Sequence, residues 1–132
     1  AMTESIRVAL RVRPLSAQEA KAAGSQAAPA LAVEGRSCSV GSKVYNFDLL
    51  FDSSCSDSSP SFASQETVFE GVGATLLDSA FNAYNACVFA YGQTGSGKTH
   101  TVLGERSPQG QGILPRACES LFRMLQAQAA ER

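Results

Sequence analysis

No stretch of these 132 residues approaches the roughly 18 consecutive apolar side chains that a membrane-spanning helix needs. The opening AMTESIRVALRVRP lacks the basic start and apolar centre of a secretory leader, so the cytoplasm is the expected compartment. Histidine occurs once, as His100, and the four cysteines (Cys38, Cys55, Cys87 and Cys118) form no CxxC pair. So sparse a ligand set argues against structural zinc. Reduced thiols are expected, with Cys87 and Cys118 in the core. Net charge is lacking as well: Lys+Arg 11 against Asp+Glu 12 leaves −1, a balance that neither demands nor excludes an acidic partner. No nucleic acid and no membrane contact is expected from this segment.

What the chain does have is enough apolar material, 44% against 17% charged, for one globular domain. Ile6, Val8, Leu10 and Val12 alternate with Arg7, Ala9, Arg11 and Arg13, the period of a β-strand, and Pro14 ends it for want of an N–H. The alanine-rich LSAQEAKAAGSQAAPA comes next, where Gly24 and Pro29 limit any helix. Short strands are predicted between residues 31 and 51, with Gly35 and Gly41 at turns, and DSSCSDSSPSFAS reads as a surface loop.

Ser64 is placed to cap a helix over residues 65–85. Its expected apolar face is Val68, Val72, Leu76, Ala80 and Tyr84, widened by Phe69, Leu77 and Phe81. Gly71 and Gly73 each weaken that helix by about 1 kcal/mol relative to alanine, so packing has to compensate. Residues 86–91 (ACVFAY) have the continuous apolar character of a strand buried on both faces of a parallel sheet. A last helix with Pro115 in its first turn is predicted to bury Leu114, Cys118, Leu121, Phe122 and Leu125.

Between that strand and a helical KTHTVL stand Gly92, Gln93, Thr94, Gly95, Ser96, Gly97, Lys98 and Thr99, which fit GxxxxGK[ST] at every position. A triphosphate needs donors from several directions. Glycines remove the Cβ atoms that would obstruct such a loop, so backbone N–H groups can face the phosphates. The helix after the loop adds the free amides of its first turn. Lys98 supplies a mobile point charge for the β and γ phosphates, and the Thr99 hydroxyl is a hard oxygen ligand for Mg²⁺. The expected ligands are ATP or ADP with Mg²⁺. The pattern by itself names neither the nucleotide nor the task, and a P-loop enzyme of another class fits it too.

The flanks are more particular. FAYGQTGSGKTHT resembles the P-loop of the kinesin motor domain, and LRVRPL, YNFDLLFD, SQETVF, AYNACVFAYGQ and GILPR resemble further segments of that domain in the same order. The wording around SQETVF leans towards the kinesin-3 class. The resemblance implies an α/β fold of the P-loop NTPase kind, a kinesin-like mixed sheet flanked by helices. It also implies ATP-driven movement on microtubules, plus-end-directed transport included, and a place on the cytoskeleton. Arg11, Arg13, Pro14 and His100 correspond to the residues that hold adenine in that family. On their own, the two arginines read as a solvated strand face and His100 as structural.

The switch segments NxxSSRSH and DxxGSE, which carry the family's γ-phosphate sensors, do not occur in these residues. Residues 1–132 are therefore expected to be the N-terminal part of a motor domain, with an incomplete sheet, marginal stability and no catalytic residues of its own. A truncated, non-catalytic product that acts only by binding is the alternative.

Overall fold

The computed structural model describes residues 6–24 and 31–130. Pro29 and the first residues of the opening segment lie outside them. The chain divides into two compact units, Ala1–Phe62 and Ala63–Arg132.

In the first unit, β1 (Ala9–Val12) pairs in parallel with β5 (Leu49–Asp52), in register from Ala9 opposite Leu49 to Val12 opposite Asp52. A parallel pair cannot be joined by a tight turn. The crossover holds α1 (Ala17–Ala23) and an antiparallel meander of β2 (Ala32–Glu34), β3 (Ser37–Val40) and β4 (Lys43–Asn46). Gly35 and Gly41 open its two-residue turns, both at φ +59. Glycine at the first central position is the type II′ solution, whose twist suits the flanking strands. Cys38 and Phe51 are buried here, and Ser53 beside them donates its N–H to the Val12 carbonyl at 2.8 Å.

Helix α1 buries nothing, so its ends have to hold it. Ser16 and Glu19 form a capping box: the Ser16 hydroxyl accepts the Glu19 N–H at 3.2 Å, and the Glu19 carboxylate accepts the Ser16 N–H at 2.8 Å. Both carboxylate oxygens of Glu19 also take the Arg13 guanidinium, at 2.7 Å each. The Arg13 fork, then the Ser16 amide and hydroxyl, lower the Glu19 carboxyl from an ordinary 4.5 to about 2.

The second unit begins with Ser64, whose hydroxyl accepts the Thr67 N–H and caps α2 (Gln65–Val68). A π-helical stretch, Phe69–Gly73, continues it without a break and leads into α3 (Ala74–Phe81). The expected amphipathic helix therefore exists to Phe81, but the wide turn inserts a residue and rotates the downstream face by about 100°. Val68 is buried at 2% exposure, and Phe69, Val72, Leu76, Leu77 and Phe81 are half-buried, whereas Ala80 and Tyr84 are exposed. Gly73 is buried because the Phe69 ring lies where a Cβ would stand. Packing thus offsets the poor helix propensity of that glycine. Beyond α3 the chain reverses through Ala83, a non-glycine residue at φ +60. The Tyr84 N–H reaches the Ser79 carbonyl and the Ala83 N–H the Ala80 carbonyl, which is a Schellman closure.

After α4 (Lys98–Val102), α5 (Ile113–Ala130) packs on the π stretch and on α3. Pro115 lies in its first turn as expected. The buried face is Ile113 and Ala117, not the predicted stripe: Leu114, Cys118, Phe122 and Leu125 are exposed, and Leu121 is half-buried. Residues 86–91 also differ from expectation. They are extended, yet they join no sheet among the described residues, and Phe89 is 88% exposed. An apolar run becomes a buried strand only where neighbours accept from its N–H groups and donate to its C=O groups, and none does so among the described residues. Cys87 and Cys118 are accordingly exposed; the buried thiol is that of Cys38.

Two glycine–alanine exchanges should move stability in opposite directions. Ala83→Gly relieves a left-handed alanine and is expected to stabilise by about 1 kcal/mol. Gly73→Ala, a gain on propensity, is expected to destabilise by about 1–3 kcal/mol through overlap with Phe69. Restoring space with Phe69→Leu should shrink that loss, and thermal melts of the variants decide each sign. The Glu19 shift fixes a pH window. A depressed carboxyl supports the fold above its unfolded value, and that support fades as pH falls from 4.5 through about 2. NMR titration of Glu19 should show a midpoint near 2 that rises in Arg13→Ala.

Candidate functional site

The loop of residues 92–97 needs backbone conformations that side-chain-bearing residues avoid. Gly92, Gly95 and Gly97 have φ of 156, 81 and 95. A Cβ on Gly92 would stand 2.5 Å from the Ser96 hydroxyl. The Ser96 N–H closes the turn onto the Gln93 carbonyl at 3.1 Å, and Gly97 in the left-handed region swings the chain into α4. The Thr101 N–H returns to the Gly97 carbonyl at 2.9 Å. The amides of Lys98, Thr99 and His100 belong to the first helical turn, which has no upstream carbonyls to use.

Lys98 is half-buried, and its ammonium donates to the Gly92 carbonyl at 2.7 Å and to the Gln93 carbonyl at 2.8 Å. The cation thus folds back over its own loop. Ser96 Oγ is buried with no hydrogen-bond partner among the described residues. A mobile cation on weak carbonyl acceptors, an orphaned hydroxyl and free first-turn amides form a donor set without an acceptor. Phosphate oxygens fit that need. Thr99 and His100 are exposed, so the threonine hydroxyl is open to a hard cation. Helix α4 is only five residues long, so its dipole contributes less than a full helix would.

The loop residues expected at the phosphates, 92–99, are thus brought together within the second unit, with His100 beside them. Arg11, Arg13 and Pro14 belong to the first unit. Each arginine there is engaged: Arg11 Nε donates to Ser53 Oγ at 3.1 Å, and burial lowers the Arg11 guanidinium from its ordinary value. Arg13 holds Glu19 and also donates to the Pro14 carbonyl at 2.8 Å. Pro14 is exposed.

Behind the loop, a backbone clasp fixes the far end of α4. The Gly112 N–H donates to the Leu103 carbonyl at 2.9 Å, and the Glu105 N–H to the Gly110 carbonyl at 2.8 Å. A Cβ on Gly112 would meet the Val102 carbonyl at 2.6 Å, so these two stretches touch only because residue 112 is glycine. Arg116 pins the intervening turn by donating to the Gln111, Pro108 and Gln109 carbonyls. Gln65, buried at 7% exposure, reaches the same place from α2. Its amide donates to the His100 carbonyl at 2.8 Å and the Gly110 carbonyl at 3.1 Å. Sequence reasoning missed Gln65 and Arg116. The one local signal for Gln65 is a polar residue three positions before Val68, on the same apolar face.

Known proteins resemble this chain over most of its length. The Kinesin motor domain family matches residues 11–132. Human kinesin-like protein KIF1C is 39% identical over 136 residues, covering 96% of this chain. Human KIF1B is 37% identical over 126 residues, and Caenorhabditis elegans unc-104 is 38% identical over 123, each covering 89% of this chain. KIF1C and KIF1B are of the kinesin-3 class towards which the wording leans. Among solved structures, KIF14 with ADP in complex with a microtubule superposes with a TM-score of 0.77 at 42% identity, over 97% of this chain. A KIF14 dimer with AMP-PNP in complex with a microtubule gives 0.81 at 40% identity, over 96% of this chain. The chain spans 34% and 35% of those two structures, and 12% of KIF1C, 7% of KIF1B and 8% of unc-104. The α/β fold expected from the sequence is thus the kinesin one, with its sheet incomplete in these residues. A likeness that runs from residue 11 to residue 132 far exceeds what a recurring phosphate loop explains: the chain belongs to the kinesin motor domain family.

Proposed function

We propose that this chain is the nucleotide-binding portion of a microtubule-based motor ATPase, and that residues 92–99 hold the phosphates of Mg·ATP or Mg·ADP. The observation that carries the reading is the donor set of the loop: Lys98 resting on the Gly92 and Gln93 carbonyls, with the Ser96 hydroxyl buried and unpartnered among the described residues. Two neutral carbonyls are weak partners for an ammonium compared with phosphate oxygens. Lys98 can therefore exchange them for a charge-assisted contact. The loop amides and the first turn of α4 bind oxygens without reorganising, because glycine conformation already sets them. Thr99 offers its hydroxyl to Mg²⁺, which, when bound, neutralises charge on the phosphate oxygens. The adenine role of Arg11, Arg13, Pro14 and His100 is supported by the family resemblance. For Arg13 it requires an exchange of Glu19 for the base.

Movement on microtubules, with a place on the cytoskeleton, is proposed for the complete protein from its membership of the family. Binding and hydrolysis are separate demands. In-line attack needs a positioned water and charge stabilisation at the γ-phosphate, and catalysis of this kind is mostly such positioning. The switch motifs that serve those ends in the family are absent from these 132 residues.

Lys98→Ala should lose a charge-assisted contact worth about 1.5–3 kcal/mol, which is about ten- to hundredfold in Mg·ADP affinity. Calorimetric titration of both proteins measures it, and equal affinities would refute the assignment. The purified 132-residue chain is expected to release phosphate from ATP at the same low rate with and without microtubules. A microtubule-dependent rate that disappears in Lys98→Ala would overturn that expectation.

A further inference from the structure

Gln65 lies outside the phosphate loop, 35 positions from His100 in sequence, and is among the few buried polar side chains of the described residues. Its two amide contacts are both to carbonyl oxygens, which only accept, so the NH₂ group must face them. The His100 carbonyl needs that donor. Four residues on, the Gly104 N–H would close the next helical turn onto His100, but it goes to the Thr99 carbonyl at 3.1 Å. The helix therefore ends with the His100 oxygen left over inside the unit, and Gln65 satisfies it. The Gly110 carbonyl already takes the Glu105 N–H, and Gln65 adds a second bond there. One carboxamide thus fastens α4 to the turn that clasps it. Lys98 and Thr99 stand on that same five-residue helix.

We infer that Gln65 is a positioning residue for nucleotide: it sets α4, and through α4 the placement of Lys98, Thr99 and the first-turn amides. The inference rests on the phosphate-binding reading of residues 92–99. Its own anchor is firm, because Ser64 caps the helix that Gln65 begins and Val68 buries the next turn. A five-residue helix has little stability of its own, so its position depends on such outside bonds.

The test compares Mg·ADP affinity of the full 132-residue chain in wild type, Lys98→Ala, Gln65→Leu and Gln65→Glu. Gln65→Leu keeps the bulk and loses both donors; about tenfold weaker binding is expected with an unchanged far-ultraviolet spectrum. Gln65→Glu turns a donor into a carboxylate facing two oxygens, so binding at about pH 7.5 should fall further. Protonation at about pH 5 restores one O–H donor, and affinity relative to wild type at the same pH should recover severalfold. The titratable groups on the elements that Gln65 bonds are Lys98, His100, Glu105, Arg106 and Arg116, and they are common to both proteins. Acid also relieves the cost of burying a carboxylate, so the far-ultraviolet spectrum of Gln65→Glu is expected to match wild type at both pH values, and an affinity recovery that merely follows refolding would overturn the inference. Wild-type affinity in Gln65→Leu, or a Gln65→Glu profile parallel to wild type, overturns the inference while leaving the phosphate site intact. A wild type that binds no nucleotide, or that binds no better than Lys98→Ala, overturns both.

Discussion

Lys98 and Thr99 stand on a helix of five residues, and a helix that short cannot hold its own shape in water. Its geometry has to come from its surroundings. At the front, Gly97 in the left-handed region turns the chain into it. At the back, the Leu103 carbonyl is bonded by Gly112 and the His100 carbonyl by Gln65. Each bond is small, but together they fix where a cation, a hydroxyl and three amides point. The glycines at 104 and 112 are part of the same constraint, because a Cβ at either would strike the opposing backbone. The glycine-rich loop of residues 92–97 is therefore the exposed end of a structure whose support is backbone against backbone.

That support leads to the core of the second unit. Gln65 starts the helix whose next turn buries Val68, and Ile113 and Ala117 at the start of α5 are buried as well. Gly112, which clasps α4, directly precedes α5. The elements that bond α4 from behind are thus continuous with the packed core of the second unit. The first unit is organised differently. Its parallel pair fixes the end of β1, where Arg11 and Arg13 are found, and both are committed to neighbours within that unit, Ser53 and Glu19.

Much of this was legible in the residues. Three glycines, a lysine and a threonine at fixed spacing marked the turn of residues 92–97 and the start of α4, for which phosphate binding is proposed. Gly35, Gly41, Gly24 and Ser64 marked turns and caps for equally local reasons. Errors arose where the outcome depended on a partner. Residues 86–91 read as a buried strand, but a ladder requires neighbours and none lies beside them among the described residues. Periodicity chose one apolar stripe on α5, namely Leu114, Cys118, Leu121, Phe122 and Leu125. The buried face is Ile113 and Ala117 instead. The π stretch had no signal beyond Gly71 and Gly73, and it turned Ala80 and Tyr84 away from the core. Gln65 was illegible because its partners are carbonyls 35 and 45 positions away.

The central claim is that glycine conformation and a clasped α4 present amides to phosphate. Amide chemical shifts and hydrogen exchange at residues 92–104, measured with Mg·ADP and separately with adenosine, test it directly. The account predicts that Mg·ADP protects the amides of Gly95 and of residues 97–100, which have no backbone acceptor among the described residues. Those of Leu103 and Gly104, already bonded, should change little, and adenosine, whose base is proposed to meet His100, should leave residues 92–98 unaltered. Protection by adenosine equal to that by Mg·ADP, or changes confined to residues outside 92–104, would contradict it.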